Sequence, residues 1–396
     1  MPNITIREVR AEALLTTAFP LRAYAFGGSP AAADPERWVG HADHLAACCV
    51  LVLFDDGRPL ATATSVPFTQ TVRGKLLPGA GISFVATHPG ARRQGHQTRV
   101  IGQLLANMRE RGETVAALYP SRASFYATFG FIGFPSVSLV QFPPERLALL
   151  VRQPLPGEIE LLPHREGFDR YHAYLTRIQP AIHGFALGHR SFATHWPDRS
   201  ESWIAFAHVD GVIRGAMTYA ISRFGGDLLA DEFSAAGGTA KYLLLQWLGR
   251  HAEQVESVGV ILPPDARFET WLVDVGAAIS LPEPNLYRTP MARIISLDAL
   301  DGLQVGPGSF TARITDRWCP WNEGAHTFAS VDGLLRVTPA TDADCDLASD
   351  AVSALVYGGY DPDDFPIRGW GAPPDATAVA MRSMFPPALP FLYARF

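Results

Sequence analysis

Hydrophobic and polar positions alternate over Asn3–Arg7, which predicts a short strand, and Glu8–Thr17 shifts to helical spacing. Cys48–Phe54 and Leu60–Ser65 flank Asp55-Asp56-Gly57 and predict a hairpin, because an Asp-Gly pair supplies the positive φ of a tight turn. Gly81–Thr87 reads as a third strand. The clearest helix spans Arg93–Glu110, where Val100, Ile101, Leu104, Leu105 and Met108 share one face. Val115–Tyr119 reads as a strand, Ser121–Phe129 as a short helix and Ser136–Gln141 as the strand that closes this first domain. Pro143-Pro144 and the residues to Gly157 mark its edge.

The pattern then partly repeats. Trp203–Val209, Asp210-Gly211 and Ile213–Ile221 form a second hairpin, followed by strand Leu228–Ser234, helix Thr239–His251 and strand Val258–Leu262. The same element order predicts an internal repeat. Ala235-Ala236-Gly237-Gly238 replaces the arginine-rich turn of the first copy, so the second copy reads as scaffold and Asp231 and Glu232 as structural acids. Strands at Ala292–Leu297, Ser309–Asp316 and Ala325–Val337, with helices at Leu347–Val356 and Ala376–Met384, make a different third region. Its apolar tail, Leu389–Phe396, is expected to be buried with its carboxylate. The expected architecture is α/β with mixed sheets in three domains, residues 1–145, 146–288 and 289–396.

Composition narrows the classes. A chain of 396 residues predicts two or three domains. With 47% hydrophobic and 18% charged residues it is not a disordered chain, and a net charge of -6 argues against a nucleic-acid partner. No apolar run, Ala46–Phe54 included, approaches the roughly 20 residues a membrane helix needs. Glu8 and Glu12 interrupt the opening segment, which does not read as a signal peptide. Cys48, Cys49, Cys319 and Cys345 have no C-x-x-C spacing, so a reducing cytoplasm is expected. His41 and His44 have no third ligand nearby, and no metal is expected.

Chemistry concentrates after the third strand. His88-Pro89-Gly90 leads into Arg92-Arg93-Gln94-Gly95-His96-Gln97 and then into the amphipathic helix. A helix N-terminus offers unpaired N–H groups and the positive end of the macrodipole, which suits a pyrophosphate. Gly95 permits close backbone approach and the arginines add charge-assisted donors. Taken alone, the segment also fits a capped helix with solvated arginines. Downstream, Leu118–Phe131 carries Ser121, Tyr126 and a Phe-Gly-Phe triplet.

With its flanking strand, helix and hairpin, the Arg92–Gln97 segment resembles the acetyl-CoA signature of the GNAT N-acetyltransferases, Arg/Gln-x-x-Gly-x-Gly/Ala; Gln97 departs from the final small residue. The resemblance implies that Phe84, Val85, Ala86 and Thr87 line the pantetheine arm of acetyl-CoA. Arg92, Arg93, Gln94, Gly95, His96, Gln97 and Ser121 would hold the rest of it. It also implies that the Val85 amide stabilises the oxyanion and that Tyr126 protonates the departing thiolate. A phenol of pKa near about 10 keeps its proton at neutral pH.

The whole chain resembles the Eis (enhanced intracellular survival) family. That resemblance implies an active acetyltransferase domain, an inactive copy and a sterol-carrier-protein-like domain, assembled as a homohexamer that acetylates amines, aminoglycosides among them. It also makes the α-carboxylate of Phe396 the general base. Two features depart from the family pattern: Arg395 stands before Phe396, and the loop Leu21–Gly28 has no acid. Tyr24, Phe26, Trp38 and Phe84 instead suggest an aromatic acceptor pocket, in which Phe396 is also expected. The acids Asp361, Asp363 and Asp364 read as a solvated turn. A lipid or sterol carrier with a vestigial acetyltransferase is the alternative.

Overall fold

The computed structural model of the chain describes residues 3–27, 45–188, 202–282 and 289–393. The predicted site residues Trp38 and Phe396, and the histidines His41 and His44, lie outside them. In chain order the strands are β1 (Ile4–Glu8), β2 (Cys49–Asp55), β3 (Arg58–Val72), β4 (Lys75–Thr87), β5 (Val115–Leu118), β6 (Ile132–Gly133) and β7 (Ser138–Phe142). There follow β8 (Glu158–Pro163), β9 (Ala186–Gly188), β10 (Trp203–Val209), β11 (Val212–Ile221), β12 (Gly226–Ala235), β13 (Val255–Leu262) and β14 (Ala278–Ser280). The last are β15 (Met291–Ile294), β16 (Ser309–Thr315), β17 (Gly324–Val331), β18 (Leu334–Pro339) and β19 (Cys345–Ala348).

The chain folds as two compact units. The first comprises Met1–Phe134, Pro180–His195 and Pro290–Phe396; the second comprises Pro135–Gln179 and Trp196–Thr289. In the first, a mixed sheet runs β1-β2-β3-β4-β5-β15-β6, with β9 added beside β3. In the second, the order is β8-β10-β11-β12-β13-β7-β14. These are the same topology. In each sheet the strand that follows the parallel pair is supplied from a distance: β7, expected to close the first sheet, lies antiparallel to β13, and β15 lies antiparallel to β5. Strand alternation cannot reveal such an exchange, because both sheets offer apolar partners of the same period.

The two predicted hairpins form as expected. Asp56 and Gly57 have φ of 47° and 81°, and Asp210 and Gly211 have 52° and 72°, the left-handed pair that matches strand twist. Helix His96–Glu110 buries Val100, Ile101, Leu104, Leu105 and Met108, each contributing about 1.5–3 kcal/mol of transfer free energy. Of the expected helix Glu8–Thr17 only Ala13–Thr16 is helical, since Glu8 ends β1, and a second short helix, Ala18–Arg22, follows it. Pro20 has no N–H to donate to the Thr16 carbonyl, and the helical ladder is interrupted before it, at Thr17, whose φ and ψ are -120° and -69°.

In the C-terminal region, β18-β17-β16-β19 form a separate sheet. Residues Ala325–Val337, read as one strand, turn at Asp332 and Gly333, whose φ are 53° and 77°. Leu347–Val356, read as a helix, begins inside β19 and becomes helical at Ser349–Tyr357. Phe310, Phe328, Leu355, Tyr357 and Leu392 share one apolar core with Phe68, Leu77 and Val115 of the first sheet. The segment from residue 289, expected as a domain by itself, therefore packs in one unit with the first sheet.

Candidate active site

The parallel pairing of β4 with β5 covers Gly79, Ala80 and Gly81 against Val115, Ala116 and Ala117, and then stops. Beyond Gly81, β4 continues to Thr87 along an open edge. On its other side the ladder pairs Thr62 with Ala86 and Thr64 with Ser83, so Ala63 faces both Phe84 and Val85. This is a β-bulge, which turns backbone groups out of the ladder. Phe84 takes φ of 51°, a left-handed conformation that costs a residue with a side chain about 1–2 kcal/mol.

A buried arginine sits on that strained residue. Arg22 closes helix Ala18–Arg22 and is 1% exposed. Its guanidinium lies 3.3 Å over the Phe84 ring centroid and 5.2 Å from that of Phe19. Burial holds its pKa down at about 9, with Cys48 opposing the shift. A desolvated cation–π contact is worth about 2 kcal/mol, enough to offset the strain at Phe84. Phe26 meets the same ring edge-on at 6.3 Å. Tyr24 and Phe26 stand on a π-helical turn at Ala23–Gly27 and are 61% and 63% exposed. Tyr24, Phe26 and Phe84 were all expected from the sequence; Arg22 was not singled out, since it falls in the loop read over Leu21–Gly28.

After Thr87 the chain forms the predicted loop. The His88 ring nitrogen Nδ1 accepts from the Gly90 amide at 3.2 Å. Arg93 and Gly95 both have positive φ, 63° and 76°, and a Cβ at Gly95 would meet open space. Arg92, Arg93, Gln94 and Gly95 are exposed, while His96 is buried at the first helical turn. His96 Nε2 lies 3.3 Å from Gln94 Oε1, and its Nδ1 is buried with no hydrogen-bond partner among the described residues. Exposed arginines, helix-terminal amides and an unmatched buried nitrogen fit a pyrophosphate. Gln97, the departure from the signature, turns back to the sheet: Oε1 accepts from Thr87 Oγ1 at 3.0 Å and Nε2 donates to Thr62 O at 3.3 Å. It ties the first helical turn to both strands of the bulge and leaves the loop front open.

Tyr126 lies in helix Ala123–Ala127 and is 5% exposed, packed edge-on to Phe125 and Phe131. Ser121 is exposed before this helix. The turn that follows is held by a distant segment. Arg293 donates to Phe129 O and, at 2.7 Å, to Asp316 Oδ2, while Trp318 Nε1 donates to Thr128 O at 2.8 Å. Arg293 and Asp316 are buried, and Asp316 also accepts from Asn322 and the Cys319 amide. An arginine alone in the apolar run Met291–Ile295 was the available sequence signal for a buried pair.

The tail reaches the same edge. Tyr119, directly after β5, donates from its hydroxyl to Leu392 O at 3.3 Å. The Phe391 amide donates to His183 O at 2.9 Å, and Tyr393 stacks on Phe185 at 4.5 Å. Beneath it, buried Arg73 donates to Val356 O, Leu355 O and Pro386 O.

In the second unit, β12 also leaves its parallel partner β13, beyond Ala230, and bulges at Asp231. There Asp231 accepts from Thr218 Oγ1 at 2.6 Å and Glu232 from the Tyr171 hydroxyl at 2.8 Å. Elsewhere, Arg382 pairs with Asp361 and Asp363 at an exposed turn. No group of three or more metal-ligating side chains occurs among the described residues.

Comparison with known proteins bears on the first domain and on the fold. Residues 5–133 match the acetyltransferase (GNAT) domain family. An uncharacterized N-acetyltransferase of Streptomyces avermitilis is 36% identical over 126 residues, 31% of this chain and 30% of the relative. Another from Streptomyces griseus is 29% identical over 197 residues, 44% of this chain and 45% of the relative. The matches thus span less than half the length of these curated relatives. Among solved structures, a probable N-acyltransferase from Enterococcus faecalis V583 superposes with a TM-score of 0.84 at 20% identity, covering 100% of both chains. Eis1 from Mycobacterium abscessus gives 0.80 at 21% identity, covering 99% of this chain and 100% of that one. The fold is that of these proteins, and residues 5–133 carry an acetyltransferase domain of the GNAT type.

Proposed function

We propose that the protein is an acetyl-CoA-dependent N-acetyltransferase of the Eis type, acting on a primary amine. The observation that carries this reading is the open edge of β4 beyond Gly81, with a bulge at Phe84-Val85 and an arginine-bearing helix N-terminus directly after it. In this reading Arg92, Arg93 and the amides from Gln94 to Gln97 bind the pyrophosphate of acetyl-CoA, with Ser121 beside it. The strand from Phe84 to Thr87 pairs with the pantetheine arm.

The Val85 amide donates to the thioester oxygen as negative charge develops on it, and removing such a donor costs about 10²–10³ in rate. The amine nitrogen forms the new amide bond, the carbon–sulfur bond breaks, and Tyr126 gives a proton to the sulfur. The α-carboxylate of Phe396 takes the proton lost by the amine. The bond from Tyr119 to Leu392, which draws the tail toward the open edge, supports that assignment.

The acceptor meets Tyr24, Phe26, Trp38, Phe84 and Phe396. Segment Ala18–Gly27 has aromatic rings and a buried guanidinium but no carboxylate, which favours an amine on an apolar body over a polycation. In the same reading, residues 146–288 are a non-catalytic copy and residues 289–396 a sterol-carrier-protein-like region. The assembly is a homohexamer in the cytoplasm. Release of CoA thiol on mixing with acetyl-CoA and phenethylamine tests the activity.

A further inference from the structure

We infer that Arg22 is a positioning residue for acetyl transfer, holding Phe84 in its left-handed conformation so that the Val85 amide faces the open edge of β4. The inference rests on the reading of that edge as the acetyl-CoA site. Three observations carry it. Phe84 bears a side chain yet has φ of 51° at the bulge. The Arg22 guanidinium carbon lies over its ring, 3.3 Å from the centroid. Arg22 itself is 1% exposed and issues from a helix packed against β3 and β4, so it cannot swing away into water.

The chemistry explains why this is an arginine. A guanidinium is planar, delocalised and weakly hydrated, so it stacks on a ring inside a protein where an ammonium would need more water. Phe26 meets the same ring edge-on, so the ring is fixed from its face and its edge. A ring held in this way fixes χ1 and with it the backbone that carries it. Without the guanidinium, residue 84 relaxes toward an extended φ, the bulge closes against Ala63 and the Val85 amide turns back into the ladder. Glycine at 84 would need no such support, because it adopts positive φ freely.

The test is a cycle of Arg22→Met and Arg22→Lys, each in the natural chain and in a Phe84→Gly background. The readouts are kcat for acetyl-CoA with phenethylamine and the φ of residue 84 in crystal structures. Arg22→Met is expected to lower kcat at least about tenfold with little change in KM for acetyl-CoA, and to move φ at 84 out of the positive region. Arg22→Lys, which keeps the cation but not the plane, should lose several-fold. In the Phe84→Gly background both Arg22 changes should alter kcat less than about twofold.

Retention of positive φ at Phe84 in Arg22→Met, or equal losses in both backgrounds, overturns the inference. So does loss of folding by both Arg22 variants that Phe84→Gly does not relieve, since Arg22 is then a core residue only. An unaltered chain that turns over no amine contradicts the enzymatic reading instead, and the φ of residue 84 still decides the role of Arg22.

Discussion

The hydroxyl of Tyr119 donates to the main-chain carbonyl of Leu392 across 3.3 Å, joining the end of β5 to the C-terminal tail. Tyr119 stands where β4 and β5 have already separated, so the bond draws the tail to the edge assigned to acetyl-CoA. Two changes probe it. One added glycine after Phe396 displaces the α-carboxylate and should lower kcat by about 10²–10⁴, the usual contribution of a general base. Tyr119→Phe removes one hydrogen bond of about 1 kcal/mol and should lower kcat about fivefold with KM for acetyl-CoA unchanged. Steady-state kinetics on both variants checks this; full activity in the extended chain removes Phe396 from the mechanism.

Gln97 ties the phosphate-loop helix to Thr87 and to Thr62. Gln97→Ala should raise KM for acetyl-CoA several-fold, because the helix N-terminus and the end of β4 are then free to separate. The Thr87→Val change should add little to it, with a coupling of about 1 kcal/mol between the two sites. A lower KM in Gln97→Ala would mean that the side chain obstructs the loop rather than clamps it.

Arg293 and Asp316 form a buried pair that holds the turn after Tyr126. Asp316→Asn leaves a buried guanidinium without its counter-charge and should destabilise the first unit by about 3–5 kcal/mol. Denaturant unfolding measures the loss. A change below about 1 kcal/mol would show that Arg293 is compensated by its carbonyl partners alone.

Much of this arrangement was legible in the chain itself. The Asp-Gly turns, the helix at His96–Glu110 and the loop from Arg92 to Gln97 rest on local chemistry: positive φ, a single apolar face and exposed donors before a helix. What escaped depends on distance along the chain. The exchange of β7 and β15 between sheets leaves no local mark, since each strand is apolar enough for either place. Arg22 and Arg293 read as ordinary charges until the fold closes over them. Helix His164–Ile178 and strand β8 were missed beyond the proline-rich edge; in the helix polar residues outnumber apolar ones, and its buried face carries His164 and Gly167 beside Tyr171, Tyr174 and Leu175. The acid Glu232 and its partner Tyr171 lie far apart in sequence, so their bond was equally invisible.

Burial pushes the Glu113 carboxyl up to about 7 from an ordinary value of 4.5, and Arg111 at 3.6 Å only partly opposes this. The folded state therefore holds a proton that the unfolded chain releases. The stability this lends is fully present below pH 4.5 and is lost as pH rises through about 7. Glu113→Gln removes that dependence and should be more stable than the natural chain at pH 8, by up to about 3 kcal/mol. Thermal unfolding of both proteins between pH 4 and pH 8 measures the difference, and parallel curves would contradict the assignment.

The central claim is acetyl transfer at the open edge of β4. The most direct measurement is CoA thiol release on mixing the protein with acetyl-CoA and a panel of primary amines, phenethylamine among them, beside Tyr126→Phe. The account predicts amine-dependent thiol release, saturable in acetyl-CoA, with kcat lowered about 10²–10⁴ in Tyr126→Phe. Absence of thiol release with every amine, together with no heat of acetyl-CoA binding in calorimetry, would contradict it.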